Sequence, residues 1–209
     1  MGRGRDPAGQ KVTNDVEDLV PEKPSTRYAY KATLIGAANQ FELTEQGLQW
    51  RVAGRSGVWR YGDIAMVRLS YRPVSMQSRR FRADLGNADG GRIVIVSTSW
   101  QTAALMAPQD RDYREFIAEL HRRMAKAGGR PVLAGGLSPL VYAGAMICMT
   151  LLAVAMSGLL LRSIATGEWA GTLFLLGFAA LFAWQVGGFV ARNRPLAYRF
   201  DHLPKALLP

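Results

Sequence analysis

The chain has 209 residues, with 26 Lys and Arg against 16 Asp and Glu and a formal net charge of +10. That length leaves room for one soluble domain of ordinary size and a small membrane anchor, and for little else. A single cysteine, Cys148, excludes an intrachain disulfide, a CxxC redox pair and a multi-thiolate zinc site, while the basic excess suits an anionic partner, either nucleic acid or a phospholipid surface.

Residues 1–26 (MGRGRDPAGQKVTNDVEDLVPEKPST) are rich in Gly, Pro and charge and hold too few apolar groups to bury, so this segment is predicted to be disordered. Residues 1–30 contain no apolar h-region, and no cleaved leader is expected.

From Arg27 the composition changes to short runs of β-branched and aromatic residues divided by turn signals, which predicts about seven strands. They fall near 28–35, 40–44, 47–53, 57–60, 64–71, 79–85 and 92–98. Glu45-Gln46-Gly47 suits a tight hairpin and Gly54-Arg55-Ser56-Gly57 a looser one. Asn87-Ala88-Asp89-Gly90-Gly91 supplies the positive φ that Gly, Asn and Asp tolerate. Alternation is clearest at 67–72, with Val67, Leu69 and Tyr71 on one face and Arg68, Ser70 and Arg72 on the other, so one face is read as buried and one as wet.

The stretch 108–131 carries Tyr113, Phe116, Ile117, Leu120 and Met124 at helical spacing. Asp110 and Asp112 stand at its start and Arg122, Arg123 and Lys126 at its end, in the sense the helix dipole favours, and Gly128-Gly129 is a stop. An amphipathic helix is therefore expected to close the sheet.

Two apolar segments follow, PLVYAGAMICMTLLAVAMSGLLL (139–161) and GTLFLLGFAALFAWQVGGFVA (171–191). At ~1.5 Å per residue each reaches the roughly 20 residues that cross a ~30 Å hydrocarbon core. Arg122, Arg123, Lys126 and Arg130 precede the first, and Arg192, Arg194 and Arg199 follow the second, whereas only Arg162 borders the connector 163–170. Positive charge stays on the cytoplasmic side, which predicts a hairpin in a bacterial inner membrane with both termini cytoplasmic and Tyr142 and Trp169 as interfacial anchors.

Ala179, Ala183, Gly187 and Ala191 recur every four residues in the second segment, and Ala153 and Ser157 do so in the first. Small faces let helices approach closely, and closure of the hairpin is preferred over dimerisation. Gln185 is the strongly polar side chain of the spans and is read as an interhelical hydrogen-bonding group.

About seven strands followed by one helix resemble the pleckstrin-homology superfold, in its bacterial membrane-linked, PH-like form. The matching stretches are FELTEQGLQW (Phe41 to Trp50), VWRYGDIAMVRLSY (Val58 to Tyr71) and DYREFIAELHRRM (Asp112 to Met124). The tail NRPLAYRFDHLPKALLP (Asn193 to Pro209) is similar to those of small proteobacterial membrane proteins, a similarity that carries no activity with it. The expected fold class is thus α+β, a PH-like bent sheet closed by an amphipathic helix and followed by a two-helix transmembrane hairpin. The expected divisions are a disordered segment 1–26, a cytoplasmic domain 27–130, a hairpin 138–191 and a cytoplasmic tail 192–209.

The two histidines, His121 and His202, form no two-His metal motif, and neither a G-x-S-x-G nor a Walker loop is present. Asp110, Asp112, Glu115 and Glu119 read as helix N-terminal charge and a solvated face. No catalytic activity, cofactor or metal is expected. Arg72, Arg79, Arg80 and Arg82 flank the loop YRPVSMQSRRF and offer contacts to an anionic headgroup or a membrane-protein partner, the alternative being arginines that keep a sheet edge soluble. Stacking aromatics in a basic groove are absent from the pattern, so nucleic acid is not an expected partner. Two functions remain open: a noncatalytic interaction module at the cytoplasmic face, binding a protein, peptide or lipid headgroup, or a small transport or assembly subunit acting through its hairpin.

Overall fold

The computed structural model describes residues 26–72, 79–102 and 106–209, so most of the segment predicted to be disordered and the centre of the basic loop lie outside the described residues. Strands β1 (Arg27–Tyr30), β2 (Asn39–Leu43), β3 (Leu48–Val52) and β4 (Arg55–Trp59) form an antiparallel meander. Strands β5 (Ile64–Tyr71), β6 (Phe81–Asn87) and β7 (Arg92–Val96) form a second one, and a short hairpin of β8 (Thr98–Trp100) and β9 (Met106–Pro108) leads to helix α1 (Asp110–Lys126). The chain is α+β, as the strand and helix patterns require.

Alternation builds the core. Tyr28, Tyr30, Phe41, Leu43, Leu48, Val67, Leu69, Phe81, Ala83, Leu85, Ile93 and Ile95 turn inward from the strands. Tyr113, Phe116, Ile117, Leu120 and Met124, the five predicted apolar positions of α1, are all buried on them. Tyr28 packs 5.6 Å from Phe116 and 6.0 Å edge-on to Tyr113 between ring centroids, within the range of favourable aromatic pairs. Ser70 departs from the expected pattern: it lies on the opposite face to Leu69 and is also buried, so that face of β5 is not wet throughout.

Three further local differences have physical causes. β1 stops at Tyr30 instead of running to 35, because the Lys31 N–H donates to Ser99 Oγ and its carbonyl accepts from the Trp100 N–H, which ends its pairing with β2. The turn between β3 and β4 is Ala53-Gly54, both at positive φ (49° and 78°), the two-residue form that matches strand twist. Gly57 therefore lies inside β4, beneath Trp50, where an added Cβ would come within 2.9 Å of the indole.

The largest difference lies beyond α1. Strand β10 (Val132–Gly135) runs parallel to β5, with Leu133 opposite Val67 and Gly135 opposite Leu69. The chain then leaves the sheet for α2 (Pro139–Ala165) and α3 (Trp169–Arg192), and returns as β11 (Leu196–Ala197), antiparallel to β10. The second sheet thus has the order β11-β10-β5-β6-β7. The segment read from sequence as a tail, 192–209, ends α3 with Arg192 and from Asn193 onward is part of this domain: Leu207 is fully buried in its core, and Tyr198, Phe200 and Leu203 pack against it.

Helices α2 and α3 are each long and apolar enough to cross a membrane, and the protein buries neither span. Each extends past its predicted boundary, so that the connector shrinks to a tight turn. Gly167 there adopts φ 73°, Ser163 Oγ donates to the Glu168 carbonyl at 2.9 Å, and Ser163 and Thr172 hydroxyls meet at 3.0 Å.

Candidate membrane-proximal site

Parallel pairing decides which end of the domain faces the hairpin. β5 and β10 point the same way, and β10 runs directly into α2, so the C-terminal end of β5 lies beside the root of the hairpin. The Gly136 N–H donates to the Leu69 carbonyl at 2.7 Å, and the Leu137 N–H to the Asn193 carbonyl at 3.0 Å. Gly136 has φ 78°, and a Cβ there would stand 2.4 Å from the carbonyl oxygens of Asn193 and Arg194, so only glycine lets the two ends of the hairpin pass this closely.

Asn193 completes the junction. It is fully buried one residue past α3, and its side chain acts as a strand neighbour for the end of β5: Oδ1 accepts from the Tyr71 N–H at 3.1 Å and Nδ2 donates to the Tyr71 carbonyl at 2.8 Å. Nδ2 also donates to the Phe189 carbonyl at 3.1 Å. A short polar amide just after an apolar span was the available sequence signal for this role. Its partner, however, lies 122 residues earlier and is a backbone group, which no side-chain pattern marks.

Arginines collect at this end. Arg72 follows Tyr71 and is exposed, its N–H donating to the Arg80 carbonyl at 2.8 Å, and Arg79, the residue before Arg80, is also exposed. Arg192 sets its guanidinium carbon 5.1 Å from the centre of the Tyr71 ring, a cation–π contact, and Arg194 lies exposed beyond Asn193. Of the four arginines named from sequence, two are occupied within the protein. Arg80 Nε donates to Thr98 Oγ1 at 3.0 Å and Nη2 to Met106 Sδ at 3.3 Å, and burial draws its pKa down. Arg82 forks onto Asp84, with Nη2 2.5 Å from Oδ1, and these hydrogen bonds raise its pKa. The exposed cations at the hairpin root are therefore Arg72 and Arg79, joined by Arg192 and Arg194.

Two acidic groups of α1 are paired within the protein, and Glu119, expected on a solvated face, is buried. Glu119, 3% exposed, accepts from Arg122 at 2.6 Å and from Arg123 at 2.7 Å, and these bonds hold its carboxyl below the usual carboxylate range. Arg123 goes on to donate to the Leu43 and Thr44 carbonyls at 2.9 and 3.0 Å, tying α1 to the β2–β3 turn. Glu115 pairs with Arg111 at 3.0 Å. His121 is buried on the same helix: Nδ1–H donates to the Ile117 carbonyl at 2.7 Å, which leaves Nε2 to accept from the Tyr198 hydroxyl at 3.0 Å. Burial lowers the pKa of His121.

In the hairpin, Ala153 and Ser157 of α2 and Ala179 and Ala183 of α3 line one apolar crevice between the helices, and Gly187 lines another nearer the sheet domain. Gln185 is exposed and lines neither crevice. At ~100° per residue it sits about 200° around α3 from both Ala183 and Gly187. No family model matches the chain, and neither a curated protein nor a solved structure matches it.

Proposed function

We propose that the chain is a noncatalytic, membrane-anchored module of the bacterial inner membrane, with a PH-like domain on the cytoplasmic side whose hairpin-root rim contacts anionic headgroups. One observation carries this reading: both ends of the hairpin leave from adjacent strands of one sheet, at the end where Arg72, Arg79, Arg192 and Arg194 are exposed. A domain held this way has no free linker, so its rim stays at the depth of the lipid headgroups whenever the helices span. Each cation near a negatively charged leaflet contributes roughly 1 kcal/mol of attraction, so four contribute roughly 4 kcal/mol toward orienting the domain. The PH-like reading is supported by two antiparallel meanders, β1–β4 and β5–β7, followed by α1. The flanking charges support placing both termini in the cytoplasm.

The test uses the full chain in nanodiscs of phosphatidylcholine with or without phosphatidylglycerol. Amides flanking Arg72 and Arg79 exchange more slowly when phosphatidylglycerol is present, and the paired substitutions Arg72→Glu and Arg79→Glu remove the difference. Identical exchange in both lipids would reject headgroup contact. A second reading, a small assembly or transport subunit acting through its hairpin, draws on the small side chains Ala153, Ser157, Ala179 and Ala183 that line an open crevice between the two helices. Cross-linking in membranes yields a defined oligomer or partner if that reading holds.

A further inference from the structure

The two crevices of the hairpin share Met149 and form one groove along the helix pair. The part nearer the sheet domain is an open cleft of about 450 Å³, walled by Met146, Met149, Gly187, Val190 and Ala191, with Tyr142 and Arg194 also in its lining. Below Met149 the groove continues for about 300 Å³ between Ala153 and Met156 on one side and Ala179, Phe182 and Ala183 on the other. A Cβ at Gly187 would meet nothing within 4 Å, so the groove is open beside it.

Its chemistry is graded along its length. The deep part is apolar. The upper end holds one cation and one phenol: Tyr142 lies three residues inside the start of α2, and Arg194 two residues past the end of α3, at the level where hydrocarbon gives way to headgroups. Among the described residues no carboxylate pairs with Arg194, so its guanidinium retains the forked donor geometry that suits a phosphate. From Tyr142 to Met149 the wall runs about 10 Å along α2, at 1.5 Å per residue, which is most of one ~30 Å core's half-thickness.

We propose that this groove holds one anionic phospholipid, its phosphate on Arg194 and the Tyr142 hydroxyl and one acyl chain along Met149 between α2 and α3. Charge complementarity and the apolar wall together select this occupant over a free anion, which the wall does not serve, and over a zwitterionic lipid, whose headgroup adds a second cation beside Arg194. The inference deepens the proposed contact with anionic headgroups, but it rests on Arg194 and the groove and not on Arg72 and Arg79.

The experiment takes the full chain, purified in mild detergent and stripped of lipid, and exposes it to equimolar phosphatidylglycerol and phosphatidylcholine before native mass spectrometry. One phosphatidylglycerol is retained in preference, and Arg194→Gln lowers that retention roughly tenfold, as loss of one charge-assisted contact implies. Arg194→Lys keeps part of it. Gly187→Leu fills the groove and removes the retained lipid of either headgroup, with the melting temperature of each variant checking that the domain stays folded. Arg130→Gln, at an exposed cation by the end of β10 away from the hairpin, leaves retention unchanged, which separates a local contact at Arg194 from the general basic charge of the chain. Added inorganic phosphate does not displace the lipid. Equal retention of the two lipids, retention indifferent to Arg194→Gln, or a second copy of the chain in place of lipid would overturn the proposal. A chain with no headgroup preference whose Cys148 is nonetheless shielded by the bilayer would refute the lipid site and leave the membrane reading standing.

Discussion

Replacing Asn193 with alanine tests how the hairpin is fixed to the domain. The substitution removes a buried amide that accepts from the Tyr71 N–H and donates to the Tyr71 and Phe189 carbonyls. The Phe189 carbonyl keeps the Asn193 N–H at 3.1 Å, so the loss falls on the two backbone groups of Tyr71. An orphaned buried group costs about 1–3 kcal/mol, and because Tyr71 is only half-buried, water recovers part of this, which puts the pair at roughly 2–4 kcal/mol. At about 2–4 °C per kcal/mol for a chain of this size, the melting temperature in detergent falls by roughly 4–16 °C. Hydrogen exchange at the Tyr71 amide speeds up by a comparable factor. Asn193→Asp keeps an acceptor for the Tyr71 N–H but turns a carboxylate toward two carbonyl oxygens. At neutral pH that variant is destabilised at least as much, and it partly recovers once acid protonates the new side chain. A cost below about 0.5 kcal/mol for Asn193→Ala, with exchange at Tyr71 unchanged, would refute the clamp.

Two further predictions concern the returning segment. Leu207→Ala empties a fully buried site and costs about 2–5 kcal/mol in denaturant unfolding, whereas a loose tail would make it neutral. His121, whose pKa burial lowers, takes up a proton more readily in the unfolded chain than in the folded one. Stability therefore declines as pH drops below about 6.5, the ordinary histidine value, and Tm measured against pH in His121→Gln lacks that decline.

Strands β1–β7, α1 and the two spans were legible because each writes a period into the sequence, whereas β8 and β9, three residues each, are too short to write one. Tyr113, Phe116, Ile117, Leu120 and Met124 fall at helical spacing and all five are buried, and the uncharged runs read as spans became α2 and α3. β10 was not legible. Val132–Gly135 is four residues between glycine-rich turns, and its strand state comes from pairing with β5 across more than sixty positions. β11 is shorter still and has no ladder without β10. The basic loop illustrates a different limit: sequence marks Arg80 and Arg82 as cations but not that Thr98, Met106 and Asp84 occupy them. Gln185 was named for its polarity, whereas which residues line the crevices between α2 and α3 depends on how the two helices meet.

The claim beneath all of this is that lipid surrounds α2 and α3, and the chain carries its own probe for it. Cys148, the sole cysteine, is exposed on α2 nine residues past Pro139, about 14 Å along the helix and so near the middle of a ~30 Å core. In sealed membranes a polar, membrane-impermeant maleimide leaves Cys148 unmodified and labels it fully once the chain is denatured in detergent. Ready labelling of Cys148 in intact membranes, from either side, would place water around the helix and contradict the account.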